Sequence, residues 1–108
     1  MRLPREQFRL LEGEEVSVAG RIRVDRARIW SLPEAPAPLF AAAVSTETAR
    51  EAAAWADGVI TIDQSRDELR AFIDAYRDAG GRGPVSVQVH LSWAPTDDEA
   101  RSIAHDQW

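Results

Sequence analysis

The residues with the clearest chemical potential lie where an apolar segment gives way to an alanine-rich one. Ser45, Thr46 and Thr48 follow the apolar segment 39–44 and open the alanine-rich stretch. If a helix begins here, three hydroxyls stand beside its unpaired first-turn N–H groups, a combination that suits a phosphate. The alternative is that Ser45 is simply the helix N-cap, and the two interpretations are compatible. Glu47 counts against the phosphate, because its carboxylate competes for the same helix end.

A second candidate group lies in the alternating segment 85–92. One face of it carries Val85, Val87, Val89 and Leu91, and the other carries Ser86, Gln88, His90 and Ser92. With the apolar face against helices, His90 would lie near a ligand, where an imidazole can donate or accept a proton. The alternative is an interior histidine that is hydrogen-bonded to Gln88 or to a neighbouring strand. Trp93 either walls a ring-shaped cofactor or closes the core.

A third loop, 63–67, follows the strand predicted at 59–62, and Thr61 and Asp63 could reach a ligand there. A polar turn with helix caps is the simpler interpretation. Other chemistry is excluded by composition. The chain has no cysteine, which removes disulfides, thiolate zinc sites, iron–sulfur clusters and cysteine nucleophiles. Its two histidines lie far from any metal-ligand spacing, and no serine triad, paired-carboxylate site or glycine-rich nucleotide loop is present.

Composition and charge indicate an ordinary soluble domain. The chain has 108 residues, 44% hydrophobic and 29% charged, which is typical of a globular protein. Its net charge of −5 argues against nucleic acid or an anionic membrane as partner. No apolar stretch reaches the length of a membrane span, and the first residues lack the apolar core of a signal peptide, so we expect a cytoplasmic location.

The elements that must position these residues follow from the hydrophobic pattern. We predict a short helix ending near Gly13, a β-hairpin that turns at Ala19-Gly20, and a stiff proline-rich connector at 31–38. Strand–helix alternation follows, with strands at 39–44, 59–62 and 85–92, and helices at 45–56, 65–79 and from 97 onward. This order predicts an α/β fold with a parallel sheet.

We therefore expect one domain, 1–108, in which residues 1–38 lead into three parallel βα units at 39–108. Ligands of such folds bind at the carboxyl ends of the strands, where all three candidate loops fall. A three-stranded parallel sheet has two open edges. The chain is therefore expected to pair with another copy, or to be part of something larger.

Several stretches together resemble the luciferase-like monooxygenase superfamily, and in particular its coenzyme F-420-dependent glucose-6-phosphate dehydrogenase branch with its flavin-using relatives. They are Ala27-Arg28-Ile29-Trp30-Ser31-Leu32-Pro33, Pro38-Leu39-Phe40-Ala41-Ala42-Ala43-Val44-Ser45, Ala53-Ala54-Trp55-Ala56-Asp57-Gly58-Val59-Ile60-Thr61, Ala75-Tyr76-Arg77-Asp78-Ala79-Gly80-Gly81 and Val87-Gln88-Val89-His90-Leu91-Ser92-Trp93-Ala94. The resemblance implies a partial (β/α)8 TIM barrel, of which this chain is the C-terminal portion.

The resemblance also implies a cofactor and a reaction. FMN or the deazaflavin coenzyme F-420 would be bound, with its phosphate on the turn formed by Ser45, Thr46 and Thr48. His90 and Trp93 would border the pocket of a small organic substrate. The chain would be a fragment or truncated relative of an oxidoreductase, without the early strands that carry most ring contacts and the catalytic residues. The alternative function is a non-catalytic half-barrel that pairs with itself or with a partner half.

Overall fold

The computed structural model describes residues 5–107, so residues 1–4 and 108 of the predicted domain lie outside it. Two groups of elements follow one another along the chain. The first is α1 (Arg5–Leu11), β1 (Val16–Val18) and β2 (Val24–Ala27). The second is β3 (Phe40–Ala42), α2 (Thr46–Ala52), β4 (Gly58–Ile62), α3 (Arg66–Asp78), β5 (Val85–Gln88) and α4 (Asp97–Gln107).

The first group is a helix followed by an antiparallel hairpin, as the sequence predicted. Helix α1 ends where Gly13 takes a φ of +81° and donates its N–H to the Leu10 carbonyl at 3.0 Å. Strands β1 and β2 pair antiparallel with a shift in register. Their connection, residues 19–23, is longer than the predicted Ala19-Gly20 turn. The shift accommodates Arg26, whose φ is +48° and whose N–H donates to Ser17 Oγ at 2.9 Å.

The second group is the predicted series of three βα units. Strands β3, β4 and β5 are all parallel and lie in chain order, with β4 in the centre. The chain therefore has the α/β fold expected for part of a βα barrel, and its proline-rich connector 31–38 forms neither helix nor strand.

The two faces of this sheet differ sharply in exposure. Helices α2 and α3 pack against each other and share a core with one face of the sheet. The members of that core are Ala41, Ala43, Ala49, Ala52, Val59, Phe72, Ala75 and Tyr76. On the other face, which we call the open face, Phe40, Ile60 and Ile62 are 38%, 42% and 50% exposed.

Helix α3 shows why these residues form this fold. Its apolar stripe repeats at helical spacing, with Phe72 and Tyr76 buried and Leu69 and Ile73 half-buried. It ends where Gly80 takes a φ of +97° and Gly81 donates its N–H to the Tyr76 carbonyl at 2.9 Å, closing the last turn.

Strand β5 is shorter than predicted, and the reason lies in its neighbour. The sequence pattern predicted a strand over 85–92, but β5 ends at Gln88. Its last ladder partner is Ile62, and the N–H of Asp63 donates to the Gln88 carbonyl at 2.9 Å. Beyond this point β4 offers nothing to pair with. Val89 and Leu91, expected to face helices, are 59% and 86% exposed.

Helix α4 begins as predicted, with Thr96 Oγ1 accepting the Glu99 N–H at 3.3 Å. None of the residues of α4 is buried, and its half-buried residues are Ala100 and Ala104. Among residues 5–107, no helix is long and apolar enough to cross a membrane.

Candidate functional site

The carboxyl ends of the three parallel strands lie at one edge of the sheet, so the loops that follow them are neighbours. These loops begin at Ala43, Asp63 and Val89. All the residues singled out from the sequence fall in or next to these loops, at the edge where parallel α/β folds bind their ligands.

The first loop forms a complete capping box at the start of α2. Ser45 Oγ accepts the Thr48 N–H at 3.2 Å, and Thr48 Oγ1 accepts the Ser45 N–H at 3.2 Å. The same Thr48 hydroxyl donates to the Ser45 carbonyl at 3.0 Å. Ser45 is thus an N-cap, and the capping interpretation describes what Ser45 and Thr48 do within the chain.

A count of hydroxyl hydrogens shows what this turn can still offer a ligand. Thr48 has one hydroxyl hydrogen, which the Ser45 carbonyl takes. Ser45 and Thr48 hydroxyl oxygens are 3.0 Å apart, so the Ser45 hydrogen either returns to Thr48 or turns outward. The half-buried Thr46 makes no hydroxyl hydrogen bond to the described residues. Ser45 and Thr46 are therefore the hydroxyl donors that remain for an anion.

The second loop is tied to the first by Gln64, a residue the sequence reasoning did not single out. Its side-chain Nε2 donates to Thr61 Oγ1 at 3.1 Å and to the Val44 carbonyl at 3.3 Å. Thr61 is only 2% exposed, so its hydroxyl serves the core instead of a ligand. The sequence signal for Gln64 was a side-chain amide two residues after a strand. Its partner, the Val44 carbonyl, lies 20 positions away and could not be identified from the sequence.

Between the ends of β4 and β5 lies a cavity of about 250 Å³, which we call the strand-end cavity. Ile62, Asp63, Gln88 and His90 line it. Gln88 Nε2 lies 3.4 Å from His90 Nε2, the contact that the sequence offered as an alternative for this histidine. The structure therefore brings His90 together with Asp63. Trp93 is 78% exposed and is not among the lining residues.

A second capping box opens α3 and provides an internal comparison for the first. Ser65 Oγ accepts the Glu68 N–H at 3.3 Å and donates to Glu68 Oε2 at 2.6 Å. These hydrogen bonds, first from the Ser65 side chain and then from its backbone, hold the pKa of Glu68 below its usual 4.5. In the α3 capping box the Glu68 carboxylate takes the position that the Thr48 hydroxyl takes in the α2 capping box. The α2 capping box therefore has no negative charge at that position.

The described residues do not assemble a metal site, since residues 5–107 contain no group of three or more His, Asp or Glu side chains that could hold an ion. The chemistry available at the strand ends is therefore that of hydroxyls, one carboxylate, amides and an imidazole.

Comparison with known proteins identifies the family. The family model described as luciferase-like monooxygenase matches residues 8–108. The chain is also 33% identical, over 106 residues, to an F420-dependent hydroxymycolic acid dehydrogenase of Mycobacterium tuberculosis (strain ATCC 25618 / H37Rv). That match covers 92% of this chain and 29% of the relative, so the chain spans less than a third of that protein. The chain belongs to the luciferase-like monooxygenase family.

Proposed function

We propose that this chain supplies the cofactor-phosphate turn of a flavin- or deazaflavin-dependent oxidoreductase barrel. The observation that carries the proposal is the Ser45 turn, an exposed hydroxyl-rich capping box at the carboxyl edge of the parallel sheet. Membership in the family and the name of the relative, which is described as F420-dependent, support the class of coenzyme.

The donors of the turn fit a phosphate in kind. The Thr46 and Glu47 N–H groups are the orphan donors that a helix leaves at its start, and the Ser45 and Thr46 hydroxyls add two more. Thr48 instead maintains the cap. The Glu47 side chain is exposed and can turn away from the bound anion. When bound, the coenzyme supplies the ring that accepts or donates hydride, and this chain holds its phosphate.

The test separates capping from ligand binding with three variants. Ser45→Ala removes both the cap and a phosphate donor. Ser45→Asp keeps an excellent N-cap but places a negative charge against the phosphate. Ser65→Ala removes the matched cap of α3, where no anion is proposed. Binding of coenzyme F-420 and of FMN is followed by fluorescence, and stability by urea unfolding.

We expect Ser45→Asp to retain stability and to weaken coenzyme binding by about tenfold or more, since like charges repel at short range. Ser45→Ala should weaken binding by about three- to tenfold, the effect of one hydrogen bond to a charged group, and lower stability by about 1 kcal/mol. Ser65→Ala should lose a similar stability and bind normally. Unchanged binding by Ser45→Asp would refute the phosphate role.

A second function, self-association of a half-barrel, is favoured by the open face. Phe40, Ile60 and Ile62 present branched and aromatic side chains there, and β3 and β5 each keep one unpaired edge in the sheet. Pairing with a second copy or with a partner half would cover both the face and the edges.

Light scattering after size-exclusion chromatography tests this second function. We expect a dimer or larger species at micromolar concentration, and dissociation when Ile60→Ser makes the open face polar. The control is Ile22→Ser, because Ile22 is 72% exposed but lies in the connection of the β1–β2 hairpin, which is a separate sheet from the one with the open face. A monomer at all concentrations would refute self-association.

A further inference from the structure

The strand-end cavity differs in charge from the Ser45 turn. Its ionisable lining groups are Asp63 and His90, and among the residues that the structure describes no arginine lines it. The Asp63 carboxylate accepts hydrogen bonds and repels anions. A phosphate or carboxylate group would therefore be unfavourable in this cavity, whereas a hydroxyl can donate to Asp63.

His90 lines the same cavity as Asp63 and contacts the Gln88 side chain. Gln88 Nε2 lies 3.4 Å from His90 Nε2, within hydrogen-bond distance. Gln88 thus acts as a positioning residue for His90.

The remaining wall and the volume limit what the cavity can hold. Ile62 is half exposed and gives an apolar side to a space of about 250 Å³. Since one water occupies roughly 30 Å³ of liquid, this volume holds roughly eight waters, which is room for a molecule of about six non-hydrogen atoms. A short carbon skeleton with hydroxyls would meet Ile62 with its carbons and Asp63 with an O–H.

We infer that the strand-end cavity binds the neutral, hydroxylated part of a small organic ligand, and that Asp63 excludes phosphorylated and carboxylated groups from it. The inference rests on the proposed function for identifying this ligand as a substrate. Binding itself requires no coenzyme, so it is measured independently of the Ser45 turn.

Glycerol and glycerol 3-phosphate test the inference, because they share one carbon skeleton and differ by one phosphate group. That group adds both charge and size, and the Asp63→Asn variant below isolates the effect of the charge. Each is titrated into the full chain while the Gln88 side-chain amide, the Asp63 backbone amide and the His90 ring are followed by NMR. We expect saturable shifts with glycerol, and at least about fourfold weaker binding of glycerol 3-phosphate, as one nearby charge provides.

The variant Asp63→Asn should bring the affinities for the two compounds closer together by about fourfold, since it keeps the size of the side chain and removes its charge. Asp67→Asn is the matched control, because it removes one exposed acid from the first turn of α3 and lies outside the cavity lining. Its affinity ratio should equal that of the unmodified chain.

Three results would overturn the inference: no shift with glycerol, equal binding of both compounds by the unmodified chain, or an affinity ratio that Asp63→Asn leaves unchanged. Failure of coenzyme binding in the Ser45 experiment has no bearing on these measurements. The two proposals therefore fail separately.

Discussion

Tyr76 is the largest side chain of the core and carries a polar atom that the fold does not satisfy. The residue is fully buried, and its hydroxyl has no hydrogen-bond partner among the described residues. A buried donor without an acceptor costs about 1–3 kcal/mol. We therefore expect Tyr76→Phe to raise the free energy of unfolding by about 1 kcal/mol in a urea titration.

The control for this prediction is Phe72→Ala, which removes a ring from the same core and should cost about 3–5 kcal/mol. A loss of stability in Tyr76→Phe would mean that the hydroxyl has an acceptor after all, and the prediction would fail.

Glu68 gives stability a dependence on pH whose sign follows from its hydrogen bonds to Ser65. Its pKa in the folded chain lies below the usual 4.5, so its contribution is complete above that pH and is lost as pH falls through the folded-state value. Glu68→Gln should be less stable than the parent chain at pH 7. The difference should shrink as pH drops below 4.5 in acid unfolding followed by circular dichroism. A constant difference would contradict the assignment.

At the scale of single residues, the sequence indicated which side chains have a role better than it indicated which other side chains surround them. Ser45 was recognised as a cap because serine before an alanine-rich segment has a local meaning. The contact of His90 with Gln88 was also within reach, since residues two apart on an extended chain share a side. That Asp63 lines the same cavity as His90, and that Gln64 reaches Val44, depends on packing between segments, which no local pattern encodes.

The connections between elements depend on close backbone approach. A Cβ on Gly83 would lie 1.6 Å from the Asp57 carbonyl oxygen, whereas one on Gly20 would meet nothing within 4 Å. We expect Gly83→Ala to cost about 2 kcal/mol or more, because backbone must shift, and Gly20→Ala to change stability by less than about 0.5 kcal/mol. Thermal unfolding of both variants checks this. Equal midpoints would show that the turn before β5 adapts.

The segment Ala56-Asp57-Gly58, which is part of one of the stretches that carry the family resemblance, also brings two backbone segments close together. Asp57 accepts the Leu39 N–H on its side chain and donates its own N–H to the Leu39 carbonyl, both at 2.8 Å. Gly58 then leaves room for the ring of Phe40, which would lie 2.5 Å from a Cβ. The motif therefore aligns the starts of β3 and β4.

The order and type of the βα elements were predictable because hydrophobic period and caps are local signals. The end of β5 was not, because a strand continues only while a neighbour pairs with it. Alternation from Val85 to Ser92 is a property of the sequence, but the ladder stops at Gln88, where β4 ends. The end of β5 is therefore set by the end of the neighbouring strand β4, and not by the side chains of β5.

At the scale of the whole molecule, packing is uneven. The radius of gyration is 18.8 Å, against about 13 Å for a compact domain of 100 residues. Strand β4 is paired on both sides and carries the fully buried Val59, whereas α4 buries no residue. Amide hydrogen exchange should therefore be slowest in β4 and faster by orders of magnitude in α4. Uniform exchange would contradict this division.

The same unevenness limited what the sequence could say about the molecule as a whole. The hydrophobic period and the order of the elements indicated a parallel sheet with open edges, and the resemblance to the luciferase-like family indicated a barrel. The apolar open face could not be read from composition, because Phe40, Ile60 and Ile62 look like ordinary core residues until the helices are seen to lie on the opposite side.

The side chain of Gln64 joins two loops that the proposals assign to different ligands. It bridges Thr61, two residues before Asp63, to Val44, the residue before Ser45. An anion that orders the first loop would therefore also restrain the second, and linkage requires the effect to be equal in both directions. Glycerol should tighten phosphate binding by the same factor by which phosphate tightens glycerol binding, and Gln64→Ala should reduce both factors to one. A thermodynamic cycle of these four affinities measures the coupling. If the prediction holds, the Gln64 side-chain amide is the physical connection through which phosphate binding at the first loop and glycerol binding at the second loop affect each other.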